Sequence, residues 1–91
     1  MVELKRWTIE IVIDEDGDER LTEAKARLEA PGRPPMTGVG GARRNPVDPE
    51  VPKIGDELAT ARALSDLSHR LLDVAAADIE QANADRTRPR G

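Results

Sequence analysis

Few side chains in this 91-residue sequence are of a kind that does chemistry, and their spacing decides what they can do. His69 is the one histidine, and there is no cysteine. A nitrogen- or sulfur-ligated metal needs three or four such groups together, so no metal site is expected. Asp73 follows His69 by one helical turn, and Arg62, Asp66 and Arg70 repeat that interval of four. The pattern reads as a charge ladder along the exposed side of a helix. Asp14–Glu19 gathers five acids around Gly17. It lacks the twelve-residue spacing and closing glutamate of a calcium-binding loop, and reads as a solvated turn. Gly38-x-Gly40-Gly41 fits neither common phosphate-loop spacing, and no helix follows at once. These glycines are read as strand positions where another element needs close backbone approach. No Ser/His/Asp or lysine-based nucleophile arrangement stands out. The expectation is no enzyme, no catalytic residue and no cofactor.

Arg43-Arg44 is the one basic cluster outside the C-terminal Arg86, Arg88 and Arg90. It is the candidate contact for an anion or a partner. The whole chain carries 14 basic and 18 acidic residues, net −4. A net acidic chain is a poor phosphate binder, so nucleic acid is an unfavoured partner.

The supply of apolar side chains is thin. Leu, Val, Ile, Met and Trp number 8, 6, 5, 2 and 1, joined by 12 alanines, and there is no Phe or Tyr. A chain of this length is marginal by itself. A large enclosed pocket is excluded and a partner is expected. Without cysteines or an apolar N-terminal run, the chain is expected to be cytoplasmic, with no signal peptide. No segment approaches the ~18 apolar residues of a membrane span, so no membrane is expected. Arginine outnumbers lysine 11 to 3 amid abundant alanine, a mix that suggests a GC-rich bacterial genome.

The elements that position these residues can be read from periodicity. Residues 6–14 alternate, with Trp7, Ile9, Ile11 and Ile13 on one side. β-Branched residues dominate, predicting a strand with one buried face. After the turn, residues 20–30 have strong helix formers but also alternate, and pairing with the first strand predicts a second strand. Charge selects a register. A Gly17-Asp18 turn sets Glu10 opposite Lys25, Arg6 opposite Glu29 and Ile9 opposite Ala26. Residues 36–44 read as a glycine-rich third strand. Asp48 before Pro49 is a candidate cap for one helical turn. Residues 54–84 read as one helix whose apolar arc, near 200°, exceeds the ~100° stripe of an ordinary surface helix. The Arg-rich segment 86–91 is expected to be a disordered tail.

Several segments together resemble a known family. They are Lys5-Arg6-Trp7-Thr8, Gly38-Val39-Gly40 with Ala42-Arg43 and Asn45-Pro46, Val51-Pro52 with Ile54-Gly55-Asp56-Glu57-Leu58, and Ala61-Arg62-Ala63-Leu64-Ser65-Asp66-Leu67 running on to His69-Arg70-Leu71-Leu72. They span roughly residues 4–82. The resemblance is to small actinobacterial proteins of unknown function whose fold resembles the double-stranded-RNA-binding domain. It implies an α+β fold: a three-stranded antiparallel sheet, order 1-2-3, packed on one long C-terminal helix, within a single domain of residues 1–85. It implies no activity. Where the RNA-binding domain has an N-terminal helix, this chain begins with a strand. Readers of duplex RNA grip phosphates with basic side chains. Here the start of the helix carries Asp56-Glu57, with Lys53 alone nearby. Those acids suit the positive end of the helix dipole better than they suit phosphates.

The function expected is therefore a non-catalytic, self-associating interaction domain, most simply a homodimer, with an unidentified protein partner as a further possibility. The alternative is weak nucleic-acid binding through Arg43, Arg44 and the tail arginines. On the helix, Leu67, Leu71 and Val74 are the expected dimer interface. Leu58, Ala61, Leu72 and Ile79 are expected to cover Trp7, Ile9 and Ile11.

Overall fold

In the computed structural model, which describes residues 1–87, three strands precede one helix. They are β1 (Thr8–Asp16), β2 (Leu21–Glu29), β3 (Met36–Arg43) and α1 (Pro52–Thr87). The sheet is antiparallel in the order β1-β2-β3. The fold class read from the sequence is the one observed.

The close approach demanded by the glycines is real. Ala24, Ala26 and Leu28 of β2 and Gly38, Gly40 and Ala42 of β3 share the face beneath α1. From the helix, Ala59, Ala63 and Leu67 descend onto them. A Cβ placed on Gly38 would collide with the Ala63 carbonyl and the Leu67 amide, and would lie 2.7 Å from the Leu67 Cα. One on Gly40 would lie 2.5 Å from the Ala59 carbonyl oxygen and 2.6 Å from the Arg62 carbonyl carbon. Helix backbone therefore rests on strand backbone. Gly41 points the other way and has nothing nearer than 3.7 Å. Gly55 extends the approach to the end of the helix, where Thr22 Oγ1 would stand 2.9 Å from an added Cβ.

This seat lies over β2 and β3, and α1 barely reaches β1. Every residue of β1 is exposed. The buried face expected for that strand is corrected accordingly. Ile9, Ile11 and Ile13 do point to the helix side, opposite Leu28, Ala26 and Ala24. The helix covers them only in part.

The hairpin register also differs from the expectation by two residues. Ile9 faces Leu28, not Ala26, and Glu10 faces Arg27, not Lys25. The turn is not the two-residue Gly17-Asp18. It is a four-residue loop, with Asp16 paired to Leu21. Asp16 Oδ1 accepts from the amides of Asp18 at 3.1 Å and Glu19 at 3.2 Å, and Arg20 closes the loop at a φ of 53°. Exposed cross-strand charge pairs contribute a few tenths to 1 kcal/mol each. Two turn hydrogen bonds to a carboxylate outweigh that preference, even with Asp14 opposite Glu23. A slip of two keeps every side chain on its own face, so the alternation was read correctly while the register was not.

The helix starts two residues earlier than expected, with Pro52 in the first turn, where a missing amide costs nothing. Asp56 and Glu57 thus lie beyond the first turn, which holds no acid. Their assignment as complements of the helix dipole is withdrawn. Asp48 caps no helical turn either; its amide closes a turn on the Asn45 carbonyl at 2.9 Å. At the other end α1 continues through Arg86 and Thr87, the first two residues of the expected disordered tail. Arg88 and Arg90 lie outside the described residues.

Thirty-six residues make a rod of about 54 Å, whereas strands of eight or nine residues run about 30 Å. From Ala75 onward the helix is exposed on all sides. The extents are 67 × 30 × 19 Å, and the Cα radius of gyration is 18.8 Å. A compact domain of this length has about 12 Å. The core consists of Ala24, Ala26, Leu28, Ala42, Ala59, Ala63 and Leu67, and no large side chain is completely buried.

Replacing Gly40 with Ala is expected to cost about 3 kcal/mol or more, since the added methyl meets rigid backbone on the helix. Gly41→Ala, on the open side, is expected to be neutral or stabilising by under ~1 kcal/mol. Denaturant unfolding of both variants checks the contrast.

Candidate functional site

The charged ladder of the helix is better described as a clamp on one edge of the sheet. The outer edge of β3 would leave backbone groups unpaired. Asp66 Oδ2 accepts from the Val39 amide at 2.8 Å, and Arg62 donates to the Gly41 carbonyl at 2.8 Å. Arg70 Nε donates to the same Asp66 oxygen at 3.1 Å. His69 Nδ1 lies 2.8 Å from the Ser65 carbonyl. The expected partnership of His69 with Asp73 gives way to this contact. The hydrogen bond from Val39, then that from Arg70, hold the Asp66 carboxyl below its ordinary value of 3.8.

Arg43 and Arg44 meet at a cleft of about 400 Å³ between the hairpin loop, residues 48–52 and the start of α1. Arg20 and Thr22 line it, with Leu21, Ile54 and Leu58 on its apolar side. The arginines are engaged within the chain. Arg43 lies 3.9 Å from the Glu19 carboxylate and donates to the Glu19 carbonyl at 3.5 Å; Arg44 donates to the Asp48 carbonyl at 3.1 Å. Glu15, Asp16, Asp48 and Glu50 face the same space. Four carboxylates and three guanidiniums thus line the cleft together.

The other candidate group, Leu67, Leu71 and Val74, falls on the core side of the helix. Leu67 is 2 % exposed and belongs to the core, Leu71 packs against it, and Val74 is half-buried. The expected arrangement is thus reversed. The residues left in water are Leu58, Leu64, Leu72 and Ile79, together with Ile54 near the helix start. The cause is the position of the small residues. Ala24, Ala26, Gly38 and Gly40 draw the 59-63-67 stripe onto β2 and β3, which leaves Leu64 on the flank toward β1 and Leu58 and Leu72 on the outward side.

The uncovered helix flank and the uncovered face of β1 form one open trough. Its floor is Ile9, Ile11 and Ile13, and the exposed α1 leucine beside it is Leu64, whereas Leu58 and Leu72 project away from the sheet. Trp7 lies at one end, 48 % exposed, with the Arg33 guanidinium 4.8 Å above its ring. The sequence did carry a signal for the trough. Small residues at period two on β2 and β3, against large ones on β1, show where a helix can come down and where it cannot.

Titration of Asp66 gives a test of the clamp. Because its folded value lies below 3.8, its contribution to stability is complete above that pH and is lost as pH falls through the depressed folded value. Asp66→Asn is expected to be less stable than wild type at pH 7, with the gap narrowing below about pH 4. Urea unfolding of both proteins across pH 3–7 checks the convergence.

Among the described residues, no helix is long and apolar enough to cross a membrane. The Rv2632c-like family matches residues 5–88. The chain is 56% identical over 77 residues to the uncharacterized protein MT1780 of Mycobacterium tuberculosis (strain CDC 1551 / Oshkosh), covering 85% of this chain and 79% of that one. It is 54% identical over 76 residues to the uncharacterized protein Rv2632c of Mycobacterium tuberculosis (strain ATCC 25618 / H37Rv), covering 84% and 78%. The crystal structure of Rv2632c superimposes with a TM-score of 0.80 at 45% identity, over 97% of this chain and 98% of that one. Sequence and structure agree over nearly the whole chain, which belongs to the Rv2632c-like family.

Proposed function

We propose that this protein is a non-catalytic interaction module that associates with a second copy of itself through the open trough of β1 and α1. The uncovered inner face of β1 supports this reading most directly. A strand of β-branched residues lies half in water beside a helix that carries exposed leucines, while the core proper is mostly alanine.

A two-fold axis would set each β1 edge and its apolar face beside those of the copy. The nucleic-acid alternative loses support, because Arg43 and Arg44 are engaged within the chain beside four carboxylates.

Sedimentation at micromolar concentration is expected to report twice the 9.9 kDa chain mass. Ile9→Glu with Ile13→Glu, which changes exposed positions and leaves the core intact, is expected to weaken association at least a hundredfold. A wild type that sediments as a monomer, or a folded double variant that still dimerises, would sink the reading.

A further inference from the structure

The two edges of the sheet are treated differently. At β3, Asp66 accepts from the outward Val39 amide and Arg62 donates to the outward Gly41 carbonyl, so that edge is closed in part by the chain itself. In an antiparallel sheet a residue's amide and carbonyl point to the same side, and successive residues alternate. Since Val39 and Gly41 point outward, Gly38 and Gly40 bond to Ala26 and Ala24. Glu23, Lys25 and Arg27 then bond to Asp14, Val12 and Glu10. The groups left over on β1 are those of Ile9, Ile11 and Ile13, and among the described residues nothing meets them. β1 carries no proline and no positive-φ position that would blunt its edge; its charges are the four acids Glu10, Asp14, Glu15 and Asp16, so only a register that keeps these acids apart can pair there.

We infer that the second copy adds at this edge, β1 against β1 in antiparallel register about Ile11, to give one six-stranded sheet. The inference rests on the self-association proposed above and specifies its geometry. A two-fold axis through the strand can centre on any residue from Ile9 to Ile13, and charge and overlap separate these options. Centring on Glu10 sets Glu10 against itself. Centring on Val12 sets Glu10 against Asp14, and centring on Ile13 sets it against Asp16. Centring on Ile9 avoids such pairs but leaves Ile13 beyond the end of the strand. Only Ile11 gives long overlap with no acid facing an acid.

In that register Ile11 exchanges both hydrogen bonds with Ile11 of the second copy, and Ile9 does so with Ile13. Glu10 lies opposite Val12 and Thr8 opposite Asp14. The acidic end of each strand meets the basic end of the other. Asp16 stands opposite Arg6, and Glu15 stands opposite Trp7, above which Arg33 sits. Both helices fall on the same side of the joined sheet, and the two troughs become one, floored by six isoleucines packed side by side.

The sequence contains no cysteine, so single cysteines report cleanly. Paired positions in such a ladder bring Cα atoms within disulfide reach. Under mild oxidation Ile11→Cys is expected to cross-link with itself. Ile9→Cys and Ile13→Cys are expected not to cross-link alone, because each lies roughly 14 Å from its own copy at ~3.4 Å per residue. The two mixed together are expected to cross-link. In the unmodified protein, amide exchange at Ile9, Ile11 and Ile13 is expected to slow at least tenfold as concentration rises from the monomeric to the dimeric range. A dimer whose Ile11→Cys stays free and whose three amides exchange rapidly would overturn edge pairing while leaving self-association intact. Equal cross-linking at all three positions would overturn the register. A monomer at every concentration would overturn both.

Discussion

The contact on which the rest of this structure depends is backbone against backbone, where α1 lies on β3. Ala59 and Ala63 meet Gly38 and Gly40 with no room for a single added carbon. Dispersion falls away within an ångström, so such contact is available only where both surfaces are bare of side chains. The residues that permit it occupy β2 and β3. The helix is therefore pulled toward that side of the sheet, and its lateral position follows from where the small residues are.

Two consequences come from that placement. The polar flank of α1 overhangs the edge of β3, so Arg62 and Asp66 reach the Gly41 carbonyl and the Val39 amide. One edge of the sheet is thereby closed in part by side chains of the chain itself. The apolar flank extends toward β1 without covering it. One contact thus produces a partly sealed side and an unfinished side, with exposed isoleucines on the second. The extended shape and the alanine-rich core express the same incompleteness. A relative of known structure shares this architecture at a TM-score of 0.80, so the offset helix sits in a fold common to the Rv2632c-like family.

The charged residues that seemed most able to do chemistry are used for construction. Arg43 and Arg44 hold the hairpin loop and the connector before α1. Asp66 and Arg62 seal the sheet, and His69 contacts the helix backbone. In a chain with few large apolar side chains, hydrogen bonds to backbone groups at edges and turns supply much of the specificity that packing supplies elsewhere.

Local regularities were legible in the sequence alone. Alternation along residues 6–14 and 20–30, punctuation by glycine and proline, and a long run without interior proline determined three strands and one helix. They also determined which side chains share a face, because strand and helix periods are set by the backbone. The glycines of β3 announced a close approach. What the sequence left open was every choice between near-equal alternatives. The hairpin register turned on Asp16 gathering two loop amides, which outweighed weak charge pairs. The division of the apolar helix arc turned on which strands had bare backbone to offer. Leu67, expected at a dimer interface, lies in the core, while Leu72, expected over the sheet, lies in water. Helical periodicity says that a wide apolar arc exists; only the lateral position of the helix, set by glycine and alanine on two strands at once, decides which part of it is buried.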